Sequence, residues 1–188
     1  NDDDLRSALD VWGEVWLRDT VGAAGKGSLP VSEFKMAKAW LDFKSGWGKY
    51  TAAEMLSSQS VTWQSIWKNG ELVVAQGGKR LYYEFADRAP SGITGLTGTG
   101  VTVSNEEVDQ MAIKAIKAIT KNPHGIFSVD LTYDKNRSPN PTEINIGRFF
   151  TTHHFFTAAG LNMPYILVQL AFEEEVDLPK NHINPLEK

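Results

Sequence analysis

Apolar positions recur along this chain with two periods, and the switches between them divide it into elements. Asp2, Asp3 and Asp4 precede Leu5, Leu9 and Trp12. Acids favour helix N-caps and first turns, and these apolar residues make one stripe, so a helix is expected until Gly13 stops it. Period two follows over residues 14–19, a strand with Val15 and Leu17 on one face and Trp16 and Arg18 on the other. Residues 21–28 are too glycine-rich for regular structure. Pro30 predicts the start of a helix reaching about Lys44, with Phe34, Ala37 and Leu41 inward. Residues 52–56 and 60–68 read as strands. Asn69 and Gly70 signal a type I′ hairpin turn, with a return strand over 72–75 and a further strand over 79–85. Residues 86–100 read as a long ordered loop.

Ser104 and Glu107 have the spacing of a capping box. The helix behind it carries Val108, Met111, Ala115, Ile116 and Ile119 at helical spacing and ends before Pro123. Residues 126–133 and 142–146 predict two strands joined through a polar hairpin over 134–140. Helices are expected over 149–159, closed by Gly160, and over 164–172. The tail over 177–188 has little apolar content and is expected to fray. Hairpins replace regular βα alternation, which points to α+β in two lobes, residues 1–56 and 57–188.

Composition narrows the function class. The 188 residues are 41% hydrophobic and 22% charged, ordinary for a folded domain. A net charge of −4 argues against nucleic acid as the main partner. The absence of cysteine removes disulfides, thiolate metal sites and cysteine nucleophiles, and fits a cytoplasmic protein. No apolar run approaches the ~20 residues of a membrane-spanning helix. The sequence leaves the oligomeric state open, a homo-oligomer included.

The chemistry-bearing positions concentrate late in the chain. Asp130 lies in the first of the two late strands, Glu143 and Asn145 in the second. Side chains two apart on a strand share a face, and a hairpin could bring Asp130 beside them. Two carboxylates and an amide oxygen form a hard-oxygen set suited to Mg²⁺ with phosphates as further ligands, although three polar residues on a wet sheet face are also ordinary. Early in the chain, Gly22, Gly25, Lys26, Gly27 and Ser28 form a loop whose backbone N–H groups could approach an anion, and Arg18 enters it. The loop matches neither the Walker A nor the G-x-G-x-x-G pattern. Glu54, Met55 and Leu56 could meet an adenine edge. Arg148 could stabilise a transferring phosphoryl group. Lys79 and Arg80 are further phosphate candidates, and of the adjacent His153 and His154 at least one is expected to be structural.

In this order the pieces resemble the ATP-grasp superfamily, most of all the synthetase component of carbamoyl phosphate synthase and its single-copy relatives. The likeness runs from the Arg18 strand and glycine-rich loop through the Glu54–Leu56 hinge and the segment around Thr97, Gly98, Thr102 and Val103 to Asp130 and Glu143-Ile-Asn145. It implies two lobes with antiparallel sheets clasping ATP. Asp130, Glu143 and Asn145 would then be the Mg²⁺ ligands, with Mn²⁺ as a substitute. Arg18 would touch phosphate, and residues 22–28 would close over it. Glu54, Met55 and Leu56 would line the adenine site. Arg148 resembles the arginine that follows the asparagine, displaced by one residue.

The activity implied is an ATP-dependent carboxylate–amine ligase. A carboxylate would become an acylphosphate, and an amine or other nucleophile would displace the phosphate. Three departures qualify this. Residues 57–61 lack the second hinge acid that holds ribose. Leu96 stands where carbamoyl phosphate synthases carry histidine, which argues against bicarbonate. The domain that precedes the grasp fold in the superfamily has no counterpart here, so an incomplete enzyme is expected. The alternative is a non-catalytic or regulatory nucleotide-binding module.

Overall fold

A computed structural model describes residues 1–22, 27–84 and 96–187. They form two compact units, one of residues 1–56 with 83, 84 and 96, the other of residues 57–82 with 97–187, so the end of the long fifth strand groups with the first unit and not with the second.

The first unit opens with helix α1 (Asp2–Trp12). Asn1 Oδ1 accepts from the N–H groups of Asp3 and Asp4 at 2.8 and 3.2 Å. Gly13, at φ 73°, ends the helix in a conformation open mainly to glycine. Strands β1 (Val15–Asp19), β2 (Leu29–Val31) and β3 (Tyr50–Glu54) form a sheet in the order β2-β1-β3, and helix α2 (Phe34–Phe43) lies between β2 and β3 in sequence. Both pairings are antiparallel. Val15, Leu17 and Val31 are buried with Leu5 of α1 and with Ala37 and Leu41 of α2. Pro30 does not start a helix. It sits in β2 opposite Trp16, on an edge strand that tolerates a missing N–H.

The second unit holds β4 (Ser60–Lys68), β5 (Glu71–Glu84), β6 (Leu96–Val103), helix α3 (Glu106–Ile119), β7 (Gly125–Tyr133), β8 (Pro139–Ile146), and helices α4 (His153–Ala158) and α5 (Met163–Ala171). The sheet order is β6-β5-β4-β7-β8. Asn69 and Gly70 take φ values of 52° and 90°, the left-handed pair a type I′ turn requires. β5 is one continuous strand where two were expected, and β6 occupies part of the expected loop, of which residues 86–95 lie outside the described chain. α3 is capped by Asn105, not Ser104: Asn105 Oδ1 accepts from Glu107 N at 2.9 Å and Val108 N at 3.3 Å. Its buried stripe is Val108, Ala112 and Ile116, while Ile119 is exposed. Among the described residues no helix is long and apolar enough to cross a membrane.

α3 covers one sheet face, against Val61, Trp63, Trp67, Phe127, Val129 and Leu131. Ile66 and Val74 cluster instead with Phe156, Leu161, Met163 and Ile166 from the α4–α5 region. Central β4 is therefore buried on both sides, and its polar side chains need partners inside the protein.

The tail is not frayed. Ala75 N donates to His182 O and Asn184 N donates to Ala75 O, each at 2.9 Å, in a short parallel pairing. Asn184 is buried, with its Nδ2 donating to both Asp109 oxygens at 3.0 and 2.8 Å and its Oδ1 accepting from Gly77 N at 2.7 Å. Trp63 Nε1 donates to the same Asp109 at 2.8 Å. Burial pushes the Asp109 carboxyl above its ordinary pKa, against the hydrogen bonds from Asn184 and Trp63. Asn184→Ala should strand a buried amide and a buried carboxylate, costing about 1–3 kcal/mol. Urea unfolding should report this loss, whereas Lys180→Ala in the exposed part of the same tail should leave the midpoint unchanged.

Candidate functional site

Alternation along β7 turns Phe127, Val129 and Leu131 to the α3 side, so Ser128 and Asp130 take the opposite face. Antiparallel register sets Asp130 across from Glu143 and Ser128 across from Asn145. The register shifts between Asp130 and Leu131, because Leu131 pairs with Pro141 and Thr142 stands between the two pairs. Thr142 Oγ1 donates to Asp130 O at 3.2 Å. This bulge keeps Glu143 on the Asp130 face while Pro141 follows Leu131 to the other.

Two arginines complete the face. Arg80 of β5 donates from Nη2 to Asp130 Oδ1 at 2.7 Å, with side chains only 16% and 19% exposed. Its guanidinium carbon lies 5.6 Å from the Phe150 ring centroid. Asn145, which is buried, donates from Nδ2 to Glu143 Oε1 at 3.0 Å. Arg148 donates from Nε to Asn145 Oδ1 at 2.9 Å, and its Nη2 contacts the same oxygen.

The segment carrying Arg148 is pinned from beneath. Ser128 Oγ donates to Arg148 O at 3.2 Å. Gln64 of β4 accepts from Phe150 N at 2.9 Å and donates to Thr152 Oγ1 at 2.8 Å. The expected helix over 149–159 is thereby delayed to His153, and residues 148–152 lie across the sheet in irregular backbone. His153 Nδ1 lies 2.7 Å from Phe150 O, an acceptor only, so this ring nitrogen carries the hydrogen. Sequence reasoning missed Gln64 and Ser128. The available signal was the polar alternation through Thr62 and Gln64 in β4 and through Ser128 and Asp130 in β7.

Lys79 is exposed on β5, and the candidates for phosphate and adenine early in the chain belong to the first unit. Arg18 is exposed on β1 opposite Thr51, whose Oγ1 donates to Arg18 O at 3.4 Å. By alternation it shares a face with Trp16, away from Val15 and Leu17. Glu54 ends β3 opposite Val15, and the expected strand over 52–56 stops short of Met55 and Leu56. Gly22 is described, but Gly25 and Lys26 lie outside the described residues. Gly27 has φ 97°, and an added Cβ would come within 2.9 Å of the Tyr50 hydroxyl. Ser28 is buried.

Electrostatics single out Asp130. Burial pushes its pKa from 3.8 to about 6, against the pull of Arg80, while Glu143 pushes it further up and Arg148 down. Among the described residues no three of His, Cys, Asp and Glu converge, so a metal here would need Asn145 as third ligand. Two carboxylates and an amide oxygen fit a hard divalent ion, whose charge would relieve the burial of Asp130.

A folded-state pKa raised above the unfolded value stabilises below pH 4 and loses that contribution as pH rises through about 6. Asp130→Asn, which can still accept from Arg80, should therefore melt higher than the parent in ligand-free protein at pH 7.5. The gain should be on the order of 1–3 kcal/mol and should vanish near pH 4. Thermal melts of both proteins across this range measure the difference.

No protein-family model matches the chain, and no curated protein matches its sequence. Solved structures do match in fold. D-alanyl-alanine synthetase A from Vibrio cholerae aligns over 92% of this chain and 55% of its own, at 14% identity and TM-score 0.64. A biotin carboxylase–β,γ-ATP complex from Campylobacter jejuni aligns over 90% and 39%, at 17% identity and TM-score 0.63. The biotin carboxylase domain of a Hydrogenobacter thermophilus 2-oxoglutarate carboxylase, solved with MgADP, ADP and bicarbonate, aligns over 94% and 40%, at 13% identity and TM-score 0.63. The chain thus spans roughly half or less of these proteins. Its order of elements, with three- and five-stranded antiparallel sheets and flanking helices, is α+β, and its fold is the ATP-grasp fold.

Proposed function

We propose that the chain is the core of an ATP- and Mg²⁺-dependent ligase that activates a carboxylate for attack by an amine or another nucleophile. One observation carries this reading: Asp130 and Glu143 face each other across a ladder, with Asn145 two residues on and two arginines in contact. The fold likeness, and the nucleotides named in two of the matching structures, support ATP as the ligand. In this reading Asp130, Glu143 and Asn145 hold Mg²⁺, which Mn²⁺ can replace. The metal, when bound, would neutralise charge on the polyphosphate. Arg148 and Arg80 would supply N–H donors to oxygens that gain charge in phosphoryl transfer. The motif order assigns Arg18, Gly22, Gly25, Lys26, Gly27 and Ser28 to phosphate and Glu54, Met55 and Leu56 to the base in this proposal. The motif order favours a carbamoyl phosphate synthase-like enzyme with an acceptor other than bicarbonate, given Leu96.

A second reading, a regulatory or non-catalytic nucleotide module, is favoured by residues 57–61, which carry no carboxylate to hold ribose. Ser57 is instead tied to β7 through its N–H on Tyr133 O at 2.9 Å. Carboxylate-dependent ADP release over a panel of amino acids and keto acids separates the readings, since only a ligase needs the acceptor.

Both readings require Mg²⁺–ATP binding. A ligand that binds only the folded state at about 100 times its Kd adds about 2.7 kcal/mol of stability. The melting temperature should rise with ATP and Mg²⁺ together, and Glu143→Gln should abolish that rise while leaving the ligand-free protein folded. An equal rise in parent and variant would remove Glu143 from the site. No rise in the parent would overturn the nucleotide assignment.

A further inference from the structure

We propose that Arg80 and Arg148 keep this face charge-balanced in the absence of metal, so that a divalent cation enters only together with an anionic polyphosphate. The proposal rests on reading Asp130, Glu143 and Asn145 as metal ligands.

One oxygen of Asp130 and the amide oxygen of Asn145 are already held by arginines. Asp130 Oδ1 receives Arg80 Nη2 at 2.7 Å in a spot where both side chains are more than four-fifths buried. Asn145 Oδ1 receives Nε of Arg148 at 2.9 Å and is touched by its Nη2 as well. An amide oxygen holding one guanidinium edge-on cannot also hold Mg²⁺ without two cations meeting at one atom. Like charges at that separation repel strongly where water is partly excluded.

Charge counting gives the order of events. Two carboxylates, Asp130 and Glu143, stand against two guanidinium groups, so the face is formally neutral. A bare divalent ion would add two positive charges with nothing to offset them. A triphosphate brings four negative charges, so the ion arrives in a complex that is negative overall, positive charge no longer accumulates at the face, and phosphate oxygens are offered to the arginines. Guanidinium groups pair with phosphate oxygens in the same bidentate way as with carboxylates, so the exchange keeps their hydrogen bonds. Only the side chains need to move. The Arg148 carbonyl stays on Ser128, and Phe150 N stays on Gln64. The arginines thus act as a lock that a polyphosphate opens, and the same motion delivers them to the anion.

Mn²⁺ titration of the full chain, read by electron paramagnetic resonance and by water-proton relaxation, tests this without turnover. In the parent, Mn²⁺ alone should bind only at millimolar concentration, and adding a non-hydrolysable ATP analogue should produce a protein-bound ternary complex. Arg148→Met should bind Mn²⁺ without nucleotide about tenfold or more tightly, because one opposing charge is gone. Arg148→Lys, which keeps the charge, should behave like the parent. Adding Glu143→Gln to Arg148→Met should erase the gain, which locates it at this face. Arg148 is exposed, so its replacement endangers folding less than that of Arg80. Tight Mn²⁺ binding by the nucleotide-free parent, or no gain in Arg148→Met while the parent forms the ternary complex, would overturn the lock and leave the metal site standing. Absence of Mn²⁺ from the parent with the analogue and from every variant would overturn the metal site and the lock together.

Discussion

The opposition of Asp130 and Glu143 across the β7–β8 ladder is the constraint on which the rest of the site depends. A one-residue slip would turn Glu143 and Asn145 to the α3 face and bury them against Val129 and Leu131. The shift at Thr142 reconciles two demands on β8. Pro141 follows the apolar side set by Leu131, while Glu143 and Asn145 follow the polar side set by Asp130 and Ser128. Bulges of this kind are frequent next to functional sites because they re-aim side chains without ending the strand.

Burying Asp130 on that face costs the ligand-free protein stability, and the neighbouring strands hold the face in place. β4 lies between β5 and β7 and is buried on both sides, yet it carries Thr62, Gln64 and Ser65. Each has a partner: Thr62 Oγ1 donates to Gly78 O at 3.1 Å, Ser65 Oγ donates to Phe127 O at 2.8 Å, and Gln64 holds the segment that presents Arg148. The sheet changes character along its length, from Ile66 and Val74 under α4 and α5 to Arg80, Asp130 and Asn145 at the polar end. On the opposite face, Asp109 is buried and held by hydrogen bonds from Trp63 and Asn184, so the tail anchors α3 and β5 by satisfying a buried polar group.

Much of the fold was legible because its elements carry local signals. Gly13, the Asn69–Gly70 turn and the Ser60–Lys68 strand are written in residues whose preferences tertiary contacts did not override. Misreadings fell where longer-range partners decide. Pro30 went to an edge strand, where its missing N–H is harmless. The cap of α3 moved to Asn105, since Ser104 lies against Asn184. The tail looked polar and loose because its anchor is one buried asparagine whose partners are distant in sequence. At the site, spacing alone gave Glu143 and Asn145 a shared face. The bulge that aligns Asp130, the contact with Arg80 and the support from Gln64 depend on strand order, which local pattern does not encode. Gly25 and Lys26 lie outside the described residues.

The proposed function requires the polar end of the second sheet to receive a metal–polyphosphate. Anomalous diffraction at the manganese edge, from crystals grown with Mn²⁺ and a non-hydrolysable ATP analogue, tests it most directly. The expected result is a manganese peak about 2.1 Å from oxygens of Asp130, Glu143 and Asn145, with Arg148 swung from Asn145 Oδ1 onto a phosphate. A bound nucleotide whose manganese lies away from these three side chains would contradict it.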